Sequence, residues 1–231
     1  MVDRPYTLLS CSMSIDGYLA VATADRLVLS NDEDFDRVDA VRSGCDAILV
    51  GAETVRKDNP RLLIRSDVRR STRTARGVPP SPVKVTVTAT GRLDPGARFF
   101  TMGDVEKLVY CASPALAEAR HRVGTSATVV DGGTSVTMQR LTTDLHARGI
   151  GRLMVEGGAG VHTQFLTGDL VDELHLVVAP FFVGDSRARR FVGDGRFPWH
   201  PARRAELIDA GPIGDVVLLR YALSDRCRER Q

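Results

Sequence analysis

A chain of 231 residues with 43% apolar side chains and a formal net charge of +2 has the size and composition of one large α/β domain. So small a charge gives no electrostatic case for nucleic acid or membrane as a partner, and no stretch approaches the roughly 20 apolar residues of a membrane span. The four cysteines are scattered without a CxxC, and the five histidines lack paired ligand spacing, so no metal is expected. Reduced thiols in a cytoplasmic protein are the simplest reading, and Met1-Val2-Asp3-Arg4-Pro5 lacks the apolar core of a signal peptide.

In chain order, Tyr6 to Ser12 reads as a first strand, with Ser14-Ile15-Asp16-Gly17 as the turn leaving it. Ser30 followed by Glu33 is a capping-box signature. Asp32, Glu33 and Asp34 fill the first turn of the helix it predicts, Phe35, Val38 and Val41 share a face, Arg42 lies near the end and Gly44 closes it. Ala47 to Gly51 is an apolar run suited to a strand buried on both faces, and Ala52 to Lys57 a short helix stopped before Pro60. Residues 66–82 read as a solvated, mobile loop, with Arg69, Arg70, Arg73 and Arg76 among Ser and Thr, and then Pro79-Pro80-Ser81-Pro82. No aromatics interleave with these arginines, so they do not make a nucleic-acid patch.

Further strands are predicted over Val83–Thr88, Lys107–Cys111 and Ala127–Val130, with a Ser113-Pro114 helix start and a helix over Ser135–Ala147. Beyond a glycine-rich turn at residues 157–160 the character changes. Val171–Ala179, Arg204–Asp209 and Val216–Leu223 look like longer strands with no helix between them. The expectation is a mostly parallel central sheet flanked by helices and finished by antiparallel C-terminal strands, in one domain over 1–231 with an ordered core of about 6–223. Cys227 to Gln231 is polar and expected to fray.

The most informative stretch is Leu153-Met154-Val155-Glu156-Gly157-Gly158-Ala159-Gly160-Val161. A buried-strand run ends at an acid, and the glycines then open a segment with helical spacing at Val161, Phe165 and Leu166. Glycine permits close backbone approach, and a helix start offers unpaired N–H groups with a partial positive charge, a combination that suits phosphate. The same pattern also serves merely to turn the chain. Polar and glycine residues likewise follow two other strands, at Ser12–Gly17 and Gly51–Arg65. Ligands of open α/β sheets sit beyond the carboxyl ends of strands, so convergence of the three segments would make one cleft. In the middle segment the Thr54 hydroxyl suits a phosphate or ribose oxygen, and Arg65 suits a phosphate. Asp58 and Asn59 equally suit a simple turn cap.

With these motifs in view the sequence resembles the riboflavin-pathway pyrimidine reductases, which share the dihydrofolate-reductase-like α/β fold with the C-terminal half of bifunctional deaminase–reductases. The resemblance rests on Ser12-Met13-Ser14-Ile15-Asp16-Gly17, Val50–Arg65, Val155–Gly160, and Leu170-Val171-Asp172-Glu173-Leu174-His175 leading to Ala179-Pro180, in order over residues 6–223. It implies NADPH-dependent reduction of a ribosylamino group to ribitylamino on a (2,5-di)aminopyrimidine 5′-phosphate, with hydride reaching C1′ of the ring-opened sugar. By the same resemblance Ser12, Thr54, Asp58, Thr90 and the turn Gly157, Gly158, Ala159, Gly160, Val161 hold the cofactor, and Arg42, Leu62, Arg65 and Glu156 hold the substrate. Arg92, just past Thr90, is the candidate cation for the ribose 2′-phosphate, and a surface arginine is the alternative. No proton donor is assigned, Asp58 and a water being the candidates. A homodimer is implied, with the C-terminal strands pairing or packing between subunits.

The chain departs from the family pattern after Gly17, where a Gly-Asp/Glu-Ser element is expected and Val21 to Ser30 stands instead, with Arg26 in place of a substrate-contacting serine. The zinc signature of the fused deaminase, H-x-E with P-C-x-x-C, is absent from the sequence. Two rival readings remain open. One is a dihydrofolate or pteridine reductase of the same fold, with an acid among Asp32, Glu33, Asp34 and Asp36 on the pterin; the other is an NADPH-binding protein without catalysis.

Overall fold

The computed structural model describes residues 3–23 and 27–228. Arg26, noted above for the departure from the family pattern, lies outside them. The strands are β1 (Tyr6–Ser14), β2 (Ala47–Gly51), β3 (Val83–Thr88), β4 (Lys107–Cys111), β5 (Thr128–Asp131), β6 (Arg152–Gly157), β7 (Glu173–Ala179), β8 (Glu206–Ile213) and β9 (Val216–Ala222). The helices are α1 (Asp32–Ser43), α2 (Ala52–Asp58), α3 (Asp67–Ala75), α4 (Arg98–Thr101), α5 (Leu116–Val123), α6 (Met138–Ala147), α7 (Ala159–Thr167) and α8 (Asp225–Arg228). Packing divides the chain into two compact units, one built on Asp39–Met154, the other on Tyr6–Val38 with the chain from Val155 onward.

In the first unit β2, β3, β4 and β5 pair in that order, all parallel. Every residue of β2 is buried, as an uninterrupted apolar run requires. The main departure from the sequence reading lies at residues 66–82. Instead of a mobile loop, Asp67–Ala75 forms α3, whose N-cap Ser66 accepts a hydrogen bond from the Arg69 N–H. Arg73 is buried and donates to the carbonyls of Pro79, Ser43 and Cys45, so an apparent surface charge ties the helix down. Lys84 on β3 is likewise buried, its Nζ donating to the carbonyls of Phe99 and Met102 at the end of α4.

In the second unit β1 pairs parallel with β7, then β9 and β8 add antiparallel, giving the expected C-terminal change of direction. The cap of α1 differs from the Ser30–Glu33 box. Asn31 Oδ1 accepts from the Asp34 N–H at 3.0 Å, while Ser30 Oγ donates to the buried Asp34 carboxylate. Asp34 also receives Arg37 Nε at 2.7 Å, so this acid serves the helix start. One face of β7 and β9 packs Val177, Ala179, Val216 and Leu218 against Leu29. Farther along that face lies a buried polar network, in which Glu173 accepts from Tyr6 Oη at 2.9 Å and from Arg220 Nη2 at 2.7 Å.

Candidate active site

Within the first unit, β2 runs through Gly51 directly into α2, a helix with no side-chain N-cap. Thr54 and Asp58 are four residues apart on α2 and therefore share a face, Thr54 half-buried and Asp58 exposed. Asn59 then takes a left-handed conformation, φ 44°, and its Oδ1 accepts from the Arg98 N–H at 2.7 Å, so it caps α4 from a distance in sequence. Leu62, buried, is also left-handed at φ 49°, a conformation that costs a branched residue about 1–2 kcal/mol.

The stretch after Leu62 is held by the second half of α1. Arg42 Nη1 lies 3.4 Å from the Leu63 carbonyl. Asp39, buried, accepts from the backbone N–H groups of Arg65 at 2.5 Å and Ser66 at 3.2 Å, and from Arg69 Nη1 at 3.0 Å. The three first-unit residues assigned to substrate, Arg42, Leu62 and Arg65, thus come together, with the Arg65 side chain exposed. Asp39, which anchors the backbone at Arg65, carried no signal in the sequence, because its partners lie 26 to 30 positions downstream.

The other first-unit residues assigned to cofactor lie in the turn after β3. Thr88 Oγ1 accepts from the N–H groups of Thr90 at 3.3 Å and Gly91 at 3.1 Å. Gly91 has φ +68°, and a Cβ there would lie 2.7 Å from the Ala115 carbonyl oxygen, so only glycine lets the start of α5 come this close. Arg56 Nη1 donates to the Arg92 carbonyl at 3.2 Å, linking α2 to this turn. Arg92 itself is exposed.

In the second unit Ser12, half-buried near the end of β1, pairs with Val177 of β7. The turn that follows is tightly organised. Ser14 Oγ donates to Asp16 Oδ1 at 2.5 Å and accepts from the Tyr18 N–H, and Asp16 accepts from the N–H groups of Val183 at 3.0 Å and Gly184 at 2.8 Å. Desolvation opposes ionisation of Asp16, but the hydrogen bonds from Ser14, Val183 and Gly184 prevail and hold its carboxyl down at about 2.

Glu156 and Gly157 end β6, and Gly158 is the N-cap of α7 with φ +91° and no side-chain cap. The Gly158 carbonyl accepts from the N–H groups of Val161 and His162, both at 3.0 Å. A Cβ at Gly160 would meet nothing within 4 Å, so the first turn of α7 is open on that side. An uncapped helix start of nine residues, opened by glycine, is the right kind of backbone for a pyrophosphate. Two features here escaped the sequence reading: the buried His162, and the segment 183–193, which lies against both the Gly17 turn and α7.

Comparison with known proteins bears on the chain as a whole. A 2,5-diamino-6-ribosylamino-4(3H)-pyrimidinone 5′-phosphate reductase from Methanothermobacter thermautotrophicus is 35% identical over 226 residues, covering 95% of this chain and 99% of its own. A protein of the same name from Archaeoglobus fulgidus is 35% identical over 182 residues, 78% of this chain and 83% of its own. The crystal structure of a pyrimidine reductase-like protein from Corynebacterium diphtheriae superposes with a TM-score of 0.79 at 24% identity, covering 96% of this chain and 92% of that one, which shows a common fold. The profile of the RibD C-terminal domain matches residues 5–219, and the chain belongs to that family.

Proposed function

We propose that this protein reduces the ribosylamino group of a (2,5-di)amino-6-ribosylaminopyrimidine 5′-phosphate to ribitylamino, with NADPH as the reductant. The observation that carries the reading is the 35% identity to a reductase of that name along 95% of this chain and 99% of the relative. The chain is accordingly an oxidoreductase of the riboflavin pathway. NADPH, when bound, supplies the hydride. The protein's part is binding, orientation and electrostatics.

The glycine start of α7 is assigned to the pyrophosphate, with Ser12, Thr54, Asp58, Thr90 and Arg92 completing the cofactor set. The capless Gly158 and the open side of Gly160 support that fit. Arg42 and Arg65 are assigned to the substrate's anionic and hydroxyl groups beside the Leu62 backbone, since guanidinium groups pair well with phosphate. Glu156 is assigned to pyrimidine N–H donors, which a carboxylate accepts. A cytoplasmic setting accords with four free thiols. No helix among the described residues is long and apolar enough to cross a membrane.

A homodimer is part of the same proposal. On the face of β7–β9–β8 away from Leu29, strand register aligns Leu174, Leu176 and Val178 with Tyr221, Leu219 and Val217, and these with Leu207, Ala210 and Pro212. This face has no charged residue, and Leu207 and Val217 are exposed large apolar groups. A second copy presents the same uncharged surface, so a two-fold contact brings apolar against apolar without like-charge repulsion.

The decisive test is NADPH consumption by the purified protein, offered the aminated and deaminated ribosylaminopyrimidine phosphates and, in competition, dihydrofolate. Turnover of a pyrimidine phosphate is expected. Preference for dihydrofolate, or saturable NADPH binding with no turnover of any of the three, would sink the reading. Thr54→Ala should weaken NADPH binding about tenfold, and Glu156→Ala should raise the pyrimidine KM about tenfold while sparing NADPH affinity, each losing one polar contact.

A further inference from the structure

Residues 183–193 run as a strap between the turn that follows β1, just beyond the cofactor residue Ser12, and the glycine turn assigned to the cofactor at the start of α7. At one end Val183 and Gly184 donate to Asp16. In the middle, the Leu19 N–H donates to the Arg189 carbonyl at 2.8 Å, the Phe191 N–H donates to the Gly17 carbonyl at 2.9 Å, and the Arg190 guanidinium lies 4.9 Å from the Tyr18 ring centre. At the other end the strap meets α7. The Gly193 N–H donates to Thr163 Oγ1 at 2.8 Å, and His162 Nδ1 lies 3.1 Å from the Phe191 carbonyl, with the two rings 5.5 Å apart.

The chemistry of His162 is determined by this arrangement. A carbonyl only accepts, so Nδ1 carries the proton and a neutral ring leaves Nε2 as an acceptor. Nε2 is buried with no hydrogen-bond partner among the described residues, and the residue is 1% exposed. A second N–H at that position would be buried without an acceptor, which strongly favours the neutral ring. Burial accordingly pushes the imidazole down to about 4.

We propose that neutral His162 is a positioning residue: by donating Nδ1–H to Phe191 it fastens the strap across the first turns of α7 and so holds the Gly157–Val161 turn in register with the Ser12–Gly17 turn. The inference rests on the reading that Ser12 and the Gly157–Val161 turn hold NADPH. It assigns a role to a side chain outside the assigned site, and to a segment that no sequence motif marked.

The test uses the full chain and two readouts, one of them independent of the cofactor. Hydrogen exchange of the peptide spanning 183–193 reports the strap directly, and titration with NADPH followed by steady-state kinetics reports the site. His162→Phe keeps a buried ring and loses the donor, whereas His162→Asn keeps an N–H at the Nδ1 position. The Phe variant is expected to raise exchange across 183–193 about tenfold and to weaken NADPH binding about tenfold, with kcat at saturation within about twofold. The Asn variant is expected to recover most of both losses. Wild-type exchange in the Phe variant would overturn the fastening. Raised exchange with unchanged NADPH affinity would overturn the positioning role while leaving the cofactor reading intact. Absence of saturable NADPH binding by the wild type would overturn both. Should the Phe variant fail to fold, His162→Leu removes the same donor in a smaller apolar side chain, and the same outcomes decide.

Discussion

Asp39 shows how a residue far from any motif sets the shape of one. Its buried carboxylate takes two consecutive backbone N–H groups, of Arg65 and Ser66, and the Arg69 guanidinium. Asp39→Ala would leave those donors short of partners at about 1–3 kcal/mol each where water cannot replace the carboxylate. The loss falls on the stretch carrying Leu62 and Arg65, so the pyrimidine KM should rise about tenfold while NADPH affinity stays within about twofold. Equal losses in both, or none, would remove Arg65 from the substrate set. At this scale legibility tracked distance along the chain. Thr54 and Asp58 share a helical face by spacing alone, and Gly158 and Gly160 were marked by composition. Asp39 and His162 depend on partners 26 and 29 positions away, and no local pattern carries such pairs.

Elements with a clear apolar period were readable, and β2, β3 and β4 end where the sequence placed their ends. The start of α1 was off by one residue, because Ser30 and Asn31 are both good caps and the bond that Asn31 Oδ1 accepts from the Asp34 N–H separates them. Helix α3 was missed for a physical reason. Its sequence offers no apolar stripe, and the helix is secured instead by the Ser66 cap and the buried Arg73 fork. The contact of α1 with β7 is also polar, and it yields a prediction. Arg37 Nη1 lies 3.1 Å from His175 Nδ1, and a guanidinium only donates, so Nδ1 accepts. Nε2 lies 2.7 Å from Glu173 Oε1, a carboxylate that only accepts, which puts the single proton of a neutral ring there. The nearby Arg220 Nε–H, 3.2 Å from both, goes to the same Glu173 oxygen. Burial, reinforced by Arg37 and Arg220 and opposed by Glu173, lowers the imidazole below its ordinary 6.5. The unfolded chain therefore takes up this proton first as pH falls, so stability contributed here is whole above about 6.5 and declines below it. Urea unfolding from pH 7.5 to 5 should show wild type losing ground to His175→Gln, in which an amide replaces the titrating ring. His162 titrates in the same direction in both proteins and cancels from the difference. Parallel stability curves would disprove the assignment.

For the whole molecule, the order of elements along the chain carried the fold class: strands alternating with helices, then three long strands without them. The division into two compact units was not visible that way, because the second unit draws on both Tyr6–Val38 and the chain from Val155 onward. The same order hides how the C-terminal strands are covered. Strand β8 carries a bulge between Leu207 and Asp209, and by it Leu207 and Ala210 both align with the Tyr221–Leu219–Val217 row. Without that extra residue, Leu207 and Ala210 would fall on opposite faces. A bulge that gathers apolar side chains onto an exposed face makes sense if that face is an interface, and the proposed occupant is a second copy. Val217→Arg, at an exposed position at one end of the row on the central strand β9, would set two guanidinium groups against apolar surface across a two-fold axis while leaving the isolated subunit's core untouched. Sedimentation or light scattering should then find wild type at twice the chain mass and Val217→Arg at the chain mass, with unchanged far-UV dichroism. A wild-type protein at the mass of one chain across micromolar concentrations, or a variant still at twice that mass, would mean the exposed row is covered by something other than its own copy.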